Sequence, residues 1–456
     1  MMLRRVGLAL LVAVALVLLL IAGTFGLAQT GFGKRMIVTQ LSALLSTPGM
    51  AVEITGLQGT VPIDMRLGRV TVADRDGVWL ALDDARLAWS PGALLRGRIW
   101  IDALSAARIS LDRLPSEPAP EPAEPFRFPE LPTWLPPTTV QQLSVARLDL
   151  GQEVLGQRAS FALTGHLGTA EDGGSAALKL ALERIDQPTA SVTVDATLQL
   201  QPPTLDLVVK AAESGGLLAA LTGQAEAKSF SLALTGEGPL DDWKGDLQVD
   251  AEGLARADAA IGIAAADSLR LTFDGGVEPA PGLPDDLAAI VGDRVGLGLT
   301  LAQTGPQALS IERLQVAAAA AELTGNAWTD LASEDFRADL SLAVADLGAL
   351  ASLAGETLAG TARIEITAEG KLQQPRGNAR LQGSGLAFGA ITAERLATSI
   401  DFVAREPLSA GMRGLHLSGS GGIEGLDVPE IEPLPLDSLD WQIDVFAREE
   451  DAVDVN

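Results

Sequence analysis

Few side chains in this sequence could carry chemistry, and their spacing limits what they can do. Cysteine is absent, which excludes thiol nucleophiles, disulfide scaffolds and thiolate metal sites. His166 and His416 stand 250 positions apart, and neither lies in a metal-ligand or general-base motif. Asp74-Arg75-Asp76-Gly77 resembles the opening of a calcium loop. Such a loop needs an oxygen ligand at its fifth position and a Glu at its twelfth. Val78 and Ala85 stand there, so the segment reads as a hairpin turn. Gly383-Ser384-Gly385 lacks the third glycine of a dinucleotide fingerprint, Gly419–Gly425 opens no helical pattern, and no Walker loop occurs. Trp79, Trp89 and Trp100 read as strand anchors rather than a binding cage. The sequence therefore assigns no catalytic residue, no metal ligand and no cofactor-binding residue, and an enzyme ranks last among its readings.

Composition narrows what remains. A net charge of −26 repels phosphate backbones, which excludes nucleic acid as a partner. Aromatics are 4% of the chain and Tyr is absent, too little for stacking platforms or for the aromatic girdles of an outer-membrane barrel. The charge is uneven. Residues 1–116 hold twelve basic and eight acidic residues, and the remainder holds 21 and 51. A mildly basic leader followed by a strongly acidic body suits a chain whose start lies near an anionic membrane surface.

Val6 to Ala28 is a run of 23 uncharged residues, about 34 Å as a helix and enough for a hydrocarbon core of about 30 Å. Val6, Leu10, Val14, Leu18, Ile21 and Leu27 mark this anchor, and Arg4 and Arg5 ahead of it set the topology, with the N-terminus cytoplasmic and the body exported. Gly26-Leu27-Ala28 offers the competing reading of a cleaved signal peptide. The sequence divides into a cytoplasmic start and anchor (1–32), an amphipathic helix (33–52) with Ile37, Leu41, Leu44 and Leu45 at helical spacing, a first β module (53–114), a Pro-rich linker (115–137) and a repetitive β body (138–456). Brief helices are expected at Leu217–Leu221, Asp285–Val291 and Leu347–Leu353.

The body alternates apolar and polar residues with period two, in strands and turns of ten to twelve residues, which predicts about 40 strands. A segment near 215–255 recurs near 347–387 at an offset of 132 without a gap. Thr235, Glu237, Gly238, Leu240 and Gly245 match Thr367, Glu369, Gly370, Leu372 and Gly377. The expected fold is mainly β: an N-terminal transmembrane helix followed by an elongated, curled, groove-like antiparallel sheet of repeated modules. A closed sandwich is the competing architecture. In a groove the candidate apolar lining is Leu178, Leu180, Leu182, Val192, Val194, Leu198, Leu200, Leu205, Leu207, Leu232, Leu234, Leu340, Leu342, Val344, Ile364 and Ile366.

Residues 54–115 carry a resemblance. Leu57-Gln58-Gly59, Val70 to Leu80 (VTVADRDGVWL), Leu87-Ala88-Trp89-Ser90-Pro91, Leu94-Leu95-Arg96-Gly97-Arg98-Ile99 and Leu111-Asp112-Arg113-Leu114-Pro115 resemble the N-terminal region of the TamB family. These are the inner-membrane subunits of bacterial translocation and assembly modules, within the wider AsmA-like group. The resemblance implies a single-pass inner-membrane protein whose periplasmic β-groove conducts phospholipid between inner and outer membranes and supports outer-membrane protein assembly and secretion. It implies inner-membrane lipids as partners. It also implies an outer-membrane β-barrel, engaged through a C-terminal domain that no segment of this chain matches. A chaperone or scaffold without lipid conduction, or an exported structural β-solenoid or adhesin, are the alternatives.

Overall fold

Alternation of apolar and polar residues puts successive side chains on opposite faces of an extended strand, and nearly every described stretch of this chain follows it. The computed structural model describes residues 25–47, 49–115, 136–170, 172–186, 190–214, 229–265, 268–305, 307–407, 414–429, 436–449 and 452–455. The chain is mainly β and divides near residue 231 into two units.

Unit 1 opens with helical residues 25–29 and helix α1 (Gly31–Leu45), whose first turn is capped by Thr30 Oγ1 accepting from Gly33 N at 3.0 Å. The strands are β1 (Ala51–Thr55), β2 (Gln58–Thr60), β3 (Asp64–Asp74), β4 (Gly77–Trp89), β5 (Ile99–Ala106), β6 (Arg108–Leu111), β7 (Thr138–Leu150), β8 (Ala159–Thr169), β9 (Ser175–Arg184), β10 (Ser191–Leu200) and β11 (Pro203–Glu213). β1 and β2 pair end to end along β3, which pairs with β4. β5 and β6 both lie between β4 and β7, and β7 to β11 follow in chain order.

The expected antiparallel sheet is corrected here to a mixed one, because β5 and β6 pair with β7 in parallel. A parallel neighbour must be entered from the same end, so the chain leaving Leu111 beside Leu150 has to return to Thr138, about 40 Å at ~3.3 Å per residue. β5 and β6 of the module at 53–114 thus share one sheet with β7.

Unit 2 runs through β12 (Phe230–Glu237), β13 (Asp242–Ala251), β14 (Ala255–Ala264), β15 (Arg270–Pro279), helix α2 (Asp285–Val291), β16 (Val295–Gln303), β17 (Ala308–Ala317), β18 (Ala321–Asp330), β19 (Asp335–Val344), β20 (Leu358–Lys371), β21 (Gln374–Phe388), β22 (Ile391–Ala404), β23 (Leu415–Leu426), β24 (Leu436–Glu449) and β25 (Ala452–Val455). From β13 onward each strand pairs antiparallel with the next. The described residues hold 25 strands rather than about 40, since most of them are ten to fifteen residues long before any turn is counted.

The recurring segments adopt one hairpin geometry. Gly238 and Gly370 both sit at positive φ (136° and 119°), where a side chain would press on the carbonyls of Asp242 and Gln374, themselves 132 positions apart. Gly245 and Gly377 face the carbonyls of Thr235 and Thr367, each under an aromatic ring, Trp243 in one copy and Phe402 in the other. The copies then diverge. Gly253 (φ 80°) turns the chain into β14, while Gly385 (φ 59°) stays inside β21.

Helix α2 occupies the expected positions, and a 3₁₀ turn with a helical turn covers Leu347–Ala354. The helix expected over 33–52 ends at Leu45, and Ala51 already begins β1. Residues 1–24, which hold Arg4, Arg5, Val6, Leu10, Val14, Leu18 and Ile21, lie outside the described residues, as do 116–135 of the Pro-rich linker and the expected helix at 217–221. Leu27 lies in the helical residues 25–29 and is 49% exposed. Among the described residues no helix is long and apolar enough to cross a membrane.

Candidate functional site

The sheet sorts its residues by face. Following the register of unit 2, Gly245, Ile261, Phe273, Leu299, Leu314, Gly325, Leu340, Ile366, Ala379, Ile400, Gly419 and Ile443 lie side by side on twelve successive strands. At about 4.8 Å between strands this row runs ~50 Å without a polar side chain. Over β18–β24 three flanking rows repeat the pattern. One is Leu323, Leu342, Ile364, Leu381, Thr398, Gly421 and Trp441; the second is Ala327, Ala338, Ala368, Gly377, Phe402, Leu417 and Val445. The third, from Ala321 through Val344, Ala362, Gly383, Leu396 and Ile423 to Leu439, is equally free of charge.

Where the sequence spacing of apolar residues slips from two to three, bulges absorb the extra residue. The register shifts between Ile311 and Leu314 in β17, and between Val140 and Leu143 and again between Val145 and Leu148 in β7.

The sixteen candidate lining residues fall on the apolar faces. In unit 1, Leu180 pairs with Val194, Leu182 with Val192, Leu198 with Leu205, and Leu200 with Pro203, while Leu178 and Leu207 meet across Ala196. In unit 2, Leu340, Leu342 and Val344 pair with Ile366, Ile364 and Ala362. Leu232 and Leu234 alternate along β12, next to Gly236, which lies under the Trp243 ring. Fourteen of the sixteen are half-buried; Val344 is buried at 8% exposed and Leu200 is exposed at 36%. Among the described residues no large side chain is completely buried. The faces are thus neither sealed like a sandwich interior nor bare to solvent.

Arg184 ends β9 on the unit 1 face, opposite Phe161, and is only 3% exposed. Its Nε donates to Asp186 at 2.9 Å. Burial pushes the Asp186 carboxyl up, but the Arg184 bond and backbone hydrogen bonds outweigh this and hold it below the usual carboxylate range.

The opposite face takes the charges. Arg376 and Arg337 converge on Glu369, Lys371 meets Asp335 at 2.9 Å, Arg395 meets Glu424 at 3.0 Å, and Arg294 bridges Asp258 and Glu278 at 2.8 and 2.9 Å. The arginines lower the carboxyl pKa of Glu369 and Asp258. Each histidine lies on the face of its own unit that is opposite the apolar residues. His416 Nε2 lies 2.7 Å from Asp444, and His166 Nδ1 lies 3.3 Å from the Gln141 carbonyl. A concavity of about 640 Å³ also opens there, bounded by Arg363, Gln382, Ser384, Arg395, Glu424 and Asp440. Asp74-Arg75-Asp76-Gly77 forms the β3–β4 hairpin, with Asp74 held by Arg113; Gly383-Ser384-Gly385 and Gly419–Gly425 lie within strands β21 and β23. Among the described residues no cluster of His, Asp or Glu could hold a metal ion.

Sequence reasoning missed Trp243, Ile261, Phe273, Leu381, Ile400, Phe402, Leu417 and Ile423 as members of the face. The signal was diluted by Gly, Ala and Thr at neighbouring face positions, such as Gly245, Gly377, Ala379 and Thr398, which fit the pleat without marking it as apolar. No protein-family model, curated protein or solved structure matches the chain.

Proposed function

We propose that this chain is a membrane-anchored lipid conduit of the TamB type, tethered in the bacterial inner membrane by residues 6–28, with its β body in the periplasm. The single observation that carries the reading is the segregation of the sheet in unit 2, with rows of uncharged side chains on one face and the ion pairs on the other. A phospholipid leaving a bilayer exposes its acyl chains, and each methylene in water costs about 0.8 kcal/mol. An unbroken apolar face lets the chains stay covered while the head group remains in solvent. No bond is made or broken, so the task needs no nucleophile, metal or acid–base pair. Support for outer-membrane protein assembly, through an outer-membrane β-barrel partner, follows from the same resemblance.

The test is site-specific photocrosslinking in the full chain purified from membranes. A photoreactive residue replacing Leu342 or Ile364 should capture phospholipid, and one replacing Ser341, next along the strand on the other face, should not. Capture of unfolded outer-membrane protein in place of lipid would favour the scaffold reading, and capture of neither would overturn both.

A further inference from the structure

Exposed apolar side chains also occur off the sheet faces, at the start of unit 1. Phe25 and Leu27, with Phe32 and Met36 of α1, are 40–63% exposed. The 3₁₀ turn Pro91–Arg96 between β4 and β5 leaves Leu94 at 48% and Leu95 at 92% exposed, and Gly97 ends it in the left-handed conformation (φ 69°).

Both features hang on one loop, residues 59–63. The Gln29 amide donates to the Val61 carbonyl and accepts from Val61 N at 3.1 Å, and Lys34 Nζ donates to the Gly59 carbonyl at 2.7 Å. From the other side, Trp89 Nε1 donates to the Pro62 carbonyl at 2.6 Å, and Trp89 N donates to that of Ile63 at 2.9 Å. Basic residues flank the apolar ones, with Lys34 and Arg35 on the helix and Arg96 and Arg98 at the turn. No acidic residue occurs before Glu53.

We infer that this end of unit 1 docks on an anionic bilayer surface, with Leu94 and Leu95 entering the interface as a wedge and Phe32 and Met36 lying beside them. Asp102, which accepts from Ser90 Oγ at 2.8 Å, is the acidic residue at the base of the turn, and exposed apolar side chains accompanied by an excess of cations are the composition that partitions into an anionic interface. In the sequence, helix α1 follows closely on the uncharged run at residues 6–28. The inference rests on the anchoring reading and adds to it. The tether would be reinforced by a second contact that sets the orientation of unit 1 on the membrane.

Because the chain has no cysteine, Leu95→Cys creates a unique thiol. The full chain, labelled there with a polarity-sensitive fluorophore, is reconstituted into vesicles of phosphatidylethanolamine and phosphatidylglycerol. It is then quenched with nitroxide-bearing lipid or with aqueous iodide. Phe32→Cys is treated the same way, and Leu353→Cys, 66% exposed in unit 2, serves as the aqueous reference. The expected result is several-fold stronger lipid-nitroxide quenching, and weaker iodide quenching, at Leu95 and Phe32 than at Leu353. Protein that floats with the vesicles yet shows Leu95 as open to iodide as Leu353 overturns the docking inference and leaves the anchor standing. Failure to float overturns both. Equal quenching in purely zwitterionic vesicles would overturn the electrostatic part.

Discussion

Aspartate placed at Leu342 or at Ser341 tests the conduit with one change of face. Leu342 lies mid-strand in β19, between Leu323 and Ile364 on the apolar side; Ser341 lies between Thr324 and Glu365 on the polar side. On the polar side a new carboxylate is hydrated and has little consequence. On the apolar side it would hold water where, on the proposed conduit reading, an acyl chain has to pass. One strand's width, about 4.8 Å, corresponds to roughly four methylenes. Losing cover for four methylenes at ~0.8 kcal/mol each raises the local barrier by about 3 kcal/mol. That slows passage roughly 200-fold. Folding suffers less, because Leu342 is only half-buried and its loss removes about 1 kcal/mol of apolar burial. The assay is transfer of a fluorescent phospholipid between donor and acceptor vesicles by the full chain, with co-purified lipid measured by phosphorus analysis. Circular dichroism establishes that both variants are folded. Equal transfer by folded Leu342→Asp and Ser341→Asp proteins would refute the reasoning.

Valine at Gly377 would bring its Cβ onto the Thr367 carbonyl and the Phe402 ring, and overpacking of this kind costs about 1–3 kcal/mol; Gly245→Val, its counterpart in the other hairpin, should show a comparable drop in urea midpoint, and an unchanged midpoint in either would contradict the packing described. Asp149 is partly buried, which pushes its carboxyl up, but hydrogen bonds from Ser160, Arg147 and Arg108 outweigh this and hold it below the ordinary range. Its stabilisation is therefore complete above the unfolded value of about 3.9 and disappears as pH falls through the lower folded value. Asp149→Asn should flatten the acid limb of a Tm-against-pH profile, and an identical limb would show that the carboxylate contributes nothing. Removing co-purified phospholipid should lower Tm, because a ligand held only by the folded state at 100 times its Kd adds about 2.7 kcal/mol. A lipid-stripped protein with unchanged Tm would argue against occupancy of the face.

The strands were the most legible part of the fold. LSLAV at 340–344 and RIEIT at 363–367 alternate strictly, and both lie in paired strands, β19 and β20, whose apolar residues meet across the ladder. The Asp-Gly hairpin and helix α2 were legible for similarly local reasons. The parallel junction of β5 and β6 with β7 was not, because no local pattern distinguishes a parallel neighbour from an antiparallel one when both need the same apolar residues. Strand lengths were misjudged because glycines inside strands, such as Gly377, Gly383 and Gly419, read as turn signals. In β21 and β23 they make room instead. A side chain at Gly377 would strike Phe402, and one at Gly419 would strike Ile400.

An active site depends on a few irreplaceable residues, and a motif search finds it or fails. An apolar track depends on a class of residue sustained over many positions, so no single position identifies it and the asymmetry between faces has to carry the argument. The polar face of unit 2 is lax, for Ala343, Ala397, Val403 and Trp328 stand among its ion pairs. The apolar face over β18–β24 is strict, with four rows of seven positions holding no charge and one hydroxyl, Thr398. Burial alone would explain such strictness if the face were sealed, since an unpaired charge in a closed core is prohibitively costly. Leu340, Leu342, Ile364 and Ile366 are nevertheless half-exposed, at positions where a lysine or glutamate could snorkel its charge to water at modest cost. Their absence agrees with the proposed conduit, in which an acyl chain lying along the face would exclude charge there.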